Sequence, residues 1–153
     1  MANKFNREGY YSPTEHEALK RIEREEQKTK YRPLVYICSP FSHGDVKENV
    51  RNARHYCRYA VEHHAIPFAP HLLFPQFMND SEPAERSLAM LMNRVMLGKC
   101  DELWIFGSLI SKGMKREIKW AKRKKLRICH ISTDVNAEYQ KHFLRRERNK
   151  YHE

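Results

Sequence analysis

From Leu34 onward, short apolar runs alternate with longer stretches in which apolar residues recur every three or four positions. The runs LVYIC (34–38), IPFA (66–69), ELWIF (102–106) and RICHI (127–131) are bounded by Pro, Gly or polar residues and read as strands. Strands this continuously apolar belong to parallel sheets covered on both faces. Between them, Val46, Val50, Ala53, Cys57, Ala60 and Val61 recur at helical spacing, with Lys47, Arg51, Arg54 and Arg58 outside that stripe. The stretch from Glu82 to Lys99 predicts a second helix with Leu88, Leu91, Met92, Val95 and Met96 as its core face, and Met114 to Lys125 predicts a third. The order is β-α-β-loop-α-β-α-β, and right-handed crossovers between parallel strands turn it into a three-layer α/β sandwich.

The flanks differ in kind. Residues 1–32 are polar, and Ala18, Leu19 and Ile22 give TEHEALKRIEREEQKTK only a thin apolar stripe, so a charged N-terminal arm that packs loosely or on a partner subunit is expected. Residues 133–153 read as a basic C-terminal tail, with Arg145, Arg146, Arg148 and Lys150 clustered. The 153 residues, 41% of them hydrophobic, suffice for one core and one domain, residues 33–132. A formal net charge of +10 favours anionic partners such as nucleotides, nucleic acid or an acidic surface. Cys38, Cys57, Cys100 and Cys129 fall on apolar segments without a C-x-x-C pair, which points to reduced thiols. No stretch resembles a signal peptide or a membrane span, so a cytoplasmic protein without membrane association is expected.

Ligands of parallel sheets bind beyond the carboxyl ends of the strands, where loops meet helix N-termini. Three loops fall there. After the first strand, Ser39-Pro40-Phe41-Ser42-His43-Gly44-Asp45 is small and polar, and Asp45 suits the N-cap of the helix that follows. Residues 70–77, PHLLFPQF, carry prolines that exclude a regular helix; Phe74 and Phe77 either fill a gap under this loop or wall a pocket for a base. After the third strand, Gly107, Ser108, Ser111 and Gly113 form a loop whose hydroxyls and free N–H groups suit an anion. Glu117, one turn into the next helix, points back toward the same mouth or serves as a surface partner for neighbouring cations. The nine histidines include no His-x-x-x-His pair, so no metal is expected, and the Gly/Ser loop lacks the Gly-Lys-Ser/Thr of a Walker motif. The basic run from Lys112 to Arg127 reads first as a solvated helix face, with nucleic acid as the minor alternative.

Three segments together resemble the nucleoside 2-deoxyribosyltransferase superfamily: VYICSPF with its following helix, CDELWIFG, and Ser111-x-Gly113-x-x-x-Glu117 followed by Ala121. The likeness covers about residues 34–131 and is greatest to a bacterial and phage-borne branch related to the deoxynucleoside 5'-monophosphate N-glycosidases. It implies an α/β/α sandwich with a Rossmann-like (flavodoxin-like) parallel sheet, a nucleoside or nucleotide ligand, no cofactor, and a homo-oligomer whose neighbours complete each other's sites. The resemblance gives Glu117 the role of nucleophile at the anomeric carbon and Ser39, Pro40 and Phe41 that of holding sugar and 5' groups. Ser111 at its motif position favours a nucleotide over a nucleoside. The position whose acid assists the departing base is Asn93 here, with Asp45 or His71 as substitute acids. Two classes follow: an N-glycosidase or deoxyribosyltransferase, or a binding module that senses or sequesters a nucleotide.

Overall fold

The computed structural model describes residues 13–132 together with 134 and 135. The chain divides into two compact units, residues 1–32 and 33–153. The first contains helix α1 (Pro13–Lys30), and the side chains of residues 17–26 are exposed along it. The polar arm is thus helical over Pro13–Lys30, with an exposed Arg21–Glu25 pair at 3.7 Å on its surface. The basic tail lies almost wholly outside the described residues.

The second unit runs β1 (Leu34–Cys38), α2 (Val46–Glu62), β2 (Ile66–Phe68), α3 (Pro70–Leu73), α4 (Pro83–Lys99), β3 (Glu102–Phe106), α5 (Lys112–Arg123) and β4 (Arg127–Ile131). All three strand pairings are parallel and the spatial order is β2-β1-β3-β4. This is the three-layer, Rossmann-like arrangement expected from the pattern. Because successive side chains of a strand face opposite sides, β1 and β3 feed two cores. Val35, Ile37, Trp104 and Phe106 pack with Tyr56 and Ala60 of α2, while Tyr36, Cys38, Leu103 and Ile105 pack with Leu97 of α4 and Met114 and Ala121 of α5. Asp101 ties the start of the sheet together: its carboxylate accepts from Leu34 N at 2.7 Å, and its own N–H donates to Leu34 O at 2.8 Å.

Several local expectations are corrected. Pro70 does not prevent a helix; it occupies the first turn of α3, where a missing N–H costs nothing, and a 3-10 turn follows at Phe74–Gln76. Helix α5 begins at Lys112, two residues before Met114, because Ser111 caps it, accepting from Met114 N at 3.3 Å. Of the expected core face of α4 only Met92 and Met96 are even half-buried. Leu88, Leu91 and Val95 are 49%, 57% and 51% exposed, and the helix is anchored instead by Leu97. Helical spacing shows that a face avoids water, not what covers it.

We expect Leu103→Ala, which empties a fully buried site, to cost about 2–5 kcal/mol. Asp101→Ala, which removes one acceptor from the start of β1, should cost about 1 kcal/mol. Urea unfolding with an unchanged m-value checks both.

Candidate functional site

The chain leaves β1 toward β2 on one side and leaves β3 toward β4 on the other, so the loops beyond β1 and β3 diverge and leave a crevice. A cavity of about 560 Å³ opens there, within the range of small-molecule sites. Its floor holds a carboxyl. Glu117 on α5 is 5% exposed, and its Oε1 accepts from the Tyr36 hydroxyl of β1 at 2.9 Å. Its Oε2 has no hydrogen-bond partner among the described residues. Burial pushes this carboxyl up from 4.5 to about 7, while the Tyr36 hydroxyl bond and the nearby Cys38 thiol, whose Sγ lies 4.0 Å from Met114 O, pull it down. The same burial and the nearby Glu117 charge raise both Tyr36 and Cys38, so these two remain protonated donors.

Two more buried polar atoms without partners line the cavity: Ser39 Oγ, at the end of β1, and Asn93 Oδ1, on α4. Buried polar atoms are ordinarily paired, so three orphans around one void mark a place for a polar ligand. Phe41 and His71 stack in one wall with ring centroids 4.9 Å apart and planes within 7°. His71 Nε2 lies 3.1 Å from Ser39 O. A carbonyl only accepts, so Nε2 carries the proton and Nδ1 is left as an acceptor. Burial lowers His71 from 6.5 to about 4, against the opposing Ser39 carbonyl and Asp80 charge. At neutral pH it is uncharged, which makes it a poor substitute acid. Asn49, on α2, donates to Phe41 O at 2.7 Å and to His43 O at 2.8 Å, fixing the loop that carries both residues.

Of the residues singled out in the sequence, Ser39, Phe41, His43, His71, Asn93, Ser111, Gly113 and Glu117 line the cavity. Pro40, Asp45, Gly107 and Ser108 do not. Asp45 caps α2 through Lys47 N and Glu48 N, as its position suggested, and so is not aimed at the site as an acid. Gly107 turns the chain out of β3 with φ +87°, a conformation that favours glycine. Ser108 is exposed beyond that turn, so the anion cradle narrows to Ser111 and the first turn of α5. Phe74 lines the cavity and also packs edge-on against Phe68, whereas Phe77 is 64% exposed and does not line it. Sequence reasoning missed Tyr36 and Asn49. The signal for Tyr36 was one hydroxyl in an otherwise apolar strand. The rim also carries Arg86, Lys112, Lys115 and Arg116.

A family described as Domain of unknown function (DUF7768) matches residues 33–131. The chain belongs to this family. The DUF7768 match begins at Pro33, where the second compact unit begins, and ends with β4. Every residue that lines the cavity falls inside the DUF7768 span. No curated protein matches the chain.

The raised Glu117 carboxyl has a consequence for stability. Between its ordinary 4.5 and about 7 the unfolded chain has lost this proton and the folded one has kept it, so stability falls as pH rises through that window. The size is on the order of 3 kcal/mol. His71, lowered from 6.5 to about 4, works in the opposite sense, gaining stability as pH rises between those values. Comparing wild type with Glu117→Gln isolates the first effect. The two should melt alike near pH 4, and the variant should melt higher at pH 8.

Proposed function

We propose that the chain cleaves the N-glycosidic bond of a nucleoside 5'-monophosphate or a related nucleotide, as an N-glycosidase or deoxyribosyltransferase, with Glu117 as nucleophile. The observation that carries this reading is the unpartnered Oε2 of a buried carboxyl in the floor of a cavity at the sheet's switch point. A carboxylate held there attacks the anomeric carbon as the C–N bond breaks; the electron pair leaves with the base, which takes up a proton. Water or a second base then opens the glycosyl ester. Tyr36 holds Oε1 and so directs the other oxygen toward the ligand. The first turn of α5 and the cations Lys112, Lys115 and Arg116 favour a phosphate at the rim. Phe41, Phe74 and Trp120 supply flat surface for a base.

A second reading, a module that binds a nucleotide without turning it over, is favoured by one observation. Asn93 offers an amide where the departing base needs a proton, and His71 is neutral.

Chromatography of mononucleotides after incubation separates the two. The enzyme predicts free base from wild type, rising as pH passes through about 7 where Glu117 ionises, and a fall of orders of magnitude in Glu117→Gln with binding retained. Asn93→Asp should raise release by about 10² or more, the usual contribution of a positioned acid. Binding without release in all three proteins selects the module instead.

We also propose that the chain pairs with itself through α4. Ala84, Leu88, Leu91 and Val95 are exposed at spacings of four, three and four, the seam of a helix that packs on another helix. Two antiparallel copies would set Leu91 on its twin, Leu88 against the partner's Val95, and Glu85 beside the partner's Lys99. In sedimentation at micromolar concentration, wild type should be a dimer and Leu91→Glu a monomer.

A further inference from the structure

Helix α5 carries six cations on one face. Lys112, Lys115, Arg116, Lys119, Lys122 and Arg123 are all exposed and fall within about 120° of arc at about 100° per residue. The opposite face, Met114, Glu117 and Ala121, is buried. The acid Glu117 is therefore turned away from the stripe. None of the six makes an ion pair among the described residues. Other helices of the same chain carry internal ion pairs: Arg21 with Glu25 in α1 and Arg58 with Glu62 in α2, each at i,i+4. Along α5 the i,i+3 and i,i+4 neighbours are cations, and each such pair is destabilising.

Lys122 and Arg123, in the last turn, suit the helix dipole, but the N-terminal end is the reverse of what it favours. Lys112, Lys115 and Arg116 crowd the N-terminal end, and the first turn has no acid. Positive charge at the positive end of a helix is relieved by an anion from outside the chain. The stripe extends about 17 Å along the axis, continues through Lys124 and Lys125, and begins at the cavity rim, which Lys112, Lys115 and Arg116 line. It is too long for one phosphate and continuous with a cavity that has Phe41, Phe74 and Trp120 for a base to stack on.

We propose that the α5 stripe is the docking surface for a single-stranded polynucleotide, one nucleotide of which enters the Glu117 cavity. The entry of that nucleotide rests on the function proposed above; occupancy of the stripe does not. A single strand fits because its bases reach a cavity without unpairing. The natural ligand is then a nucleotide within a strand, with free mononucleotides as its smallest form.

The test uses the full chain and a fluorescein-labelled 12-nucleotide single-stranded DNA of mixed sequence, with anisotropy read between 50 and 200 mM NaCl. Wild type should bind with a steep salt dependence, about 0.7 in log–log slope for each phosphate contact. Lys119→Glu/Lys122→Glu, both outside the cavity lining, should weaken binding at least about tenfold and flatten the slope by more than 1. Arg51→Glu/Arg54→Glu, the same charge change on exposed positions of α2, should stay within about twofold. Equal loss in both variants would reduce the binding to net charge and overturn the proposal, as would no binding at 50 mM. A stripe-dependent preference for phosphatidylserine vesicles that the oligonucleotide cannot displace would also overturn it, by assigning the surface to a membrane. Base release from free mononucleotide serves as the separate readout. If it is absent while the stripe binds DNA, the catalytic reading fails and the docking surface stands; if it is present and unchanged in Lys119→Glu/Lys122→Glu while DNA binding is lost, both stand.

Discussion

A carboxyl buried between a sheet and a helix is expensive, and the hydrogen bond from Tyr36 to Glu117 is what makes it tolerable here. That bond joins the second turn of α5 to the middle of β1, positions 81 residues apart in the chain. It can form only if α5 lies across the sheet with Met114 and Ala121 seated among Tyr36, Cys38 and Leu103. The packing of one sheet face and the orientation of the carboxyl are therefore one constraint. Because only one oxygen is satisfied from below, the other is left for whatever fills the cavity.

The strands were legible because a parallel sheet covered on both faces leaves its strands apolar without interruption, a pattern that survives in LVYIC and ELWIF. Helix positions were legible too, but not their environments. In α4 the residues read as core, Leu88, Leu91 and Val95, face outward, since periodicity gives a face and not its cover. At the site, Glu117, Ser39 and His71 were visible as polar residues beyond strand ends and Asn93 only through the family resemblance, and the structure brings all four to one cavity. Ser108 and Gly107 looked equivalent to Ser111 in sequence. A positive φ at Gly107 turns the chain away and separates them. The supporting contacts were invisible because they are long-range: Tyr36 beneath Glu117, and Asn49 holding the Phe41 and His43 carbonyls.

One acid, Glu117, is buried in the floor, where burial favours the neutral form near pH 7; around it the cations Arg86, Lys112, Lys115 and Arg116 outnumber the acids Asp80 and Glu85, and more cations stand along the outer face of α5. In the proposed reading, an anionic ligand would meet those cations before the carboxyl and keep its negative charge at the mouth rather than beside Glu117. Stability and the proposed function pull in opposite directions at the floor, since the form that burial favours is the protonated one and the proposed nucleophile is the carboxylate.

The central claim, that Glu117 Oε2 is the nucleophile, is tested most directly by trapping. A 2-fluoro-substituted nucleotide destabilises the oxocarbenium-like state and slows opening of the glycosyl ester, so the intermediate accumulates. Intact mass and peptide mapping after incubation should then show one sugar phosphate esterified to Glu117. Base released from that analogue with Glu117 unmodified, or an adduct on any other residue, would contradict it.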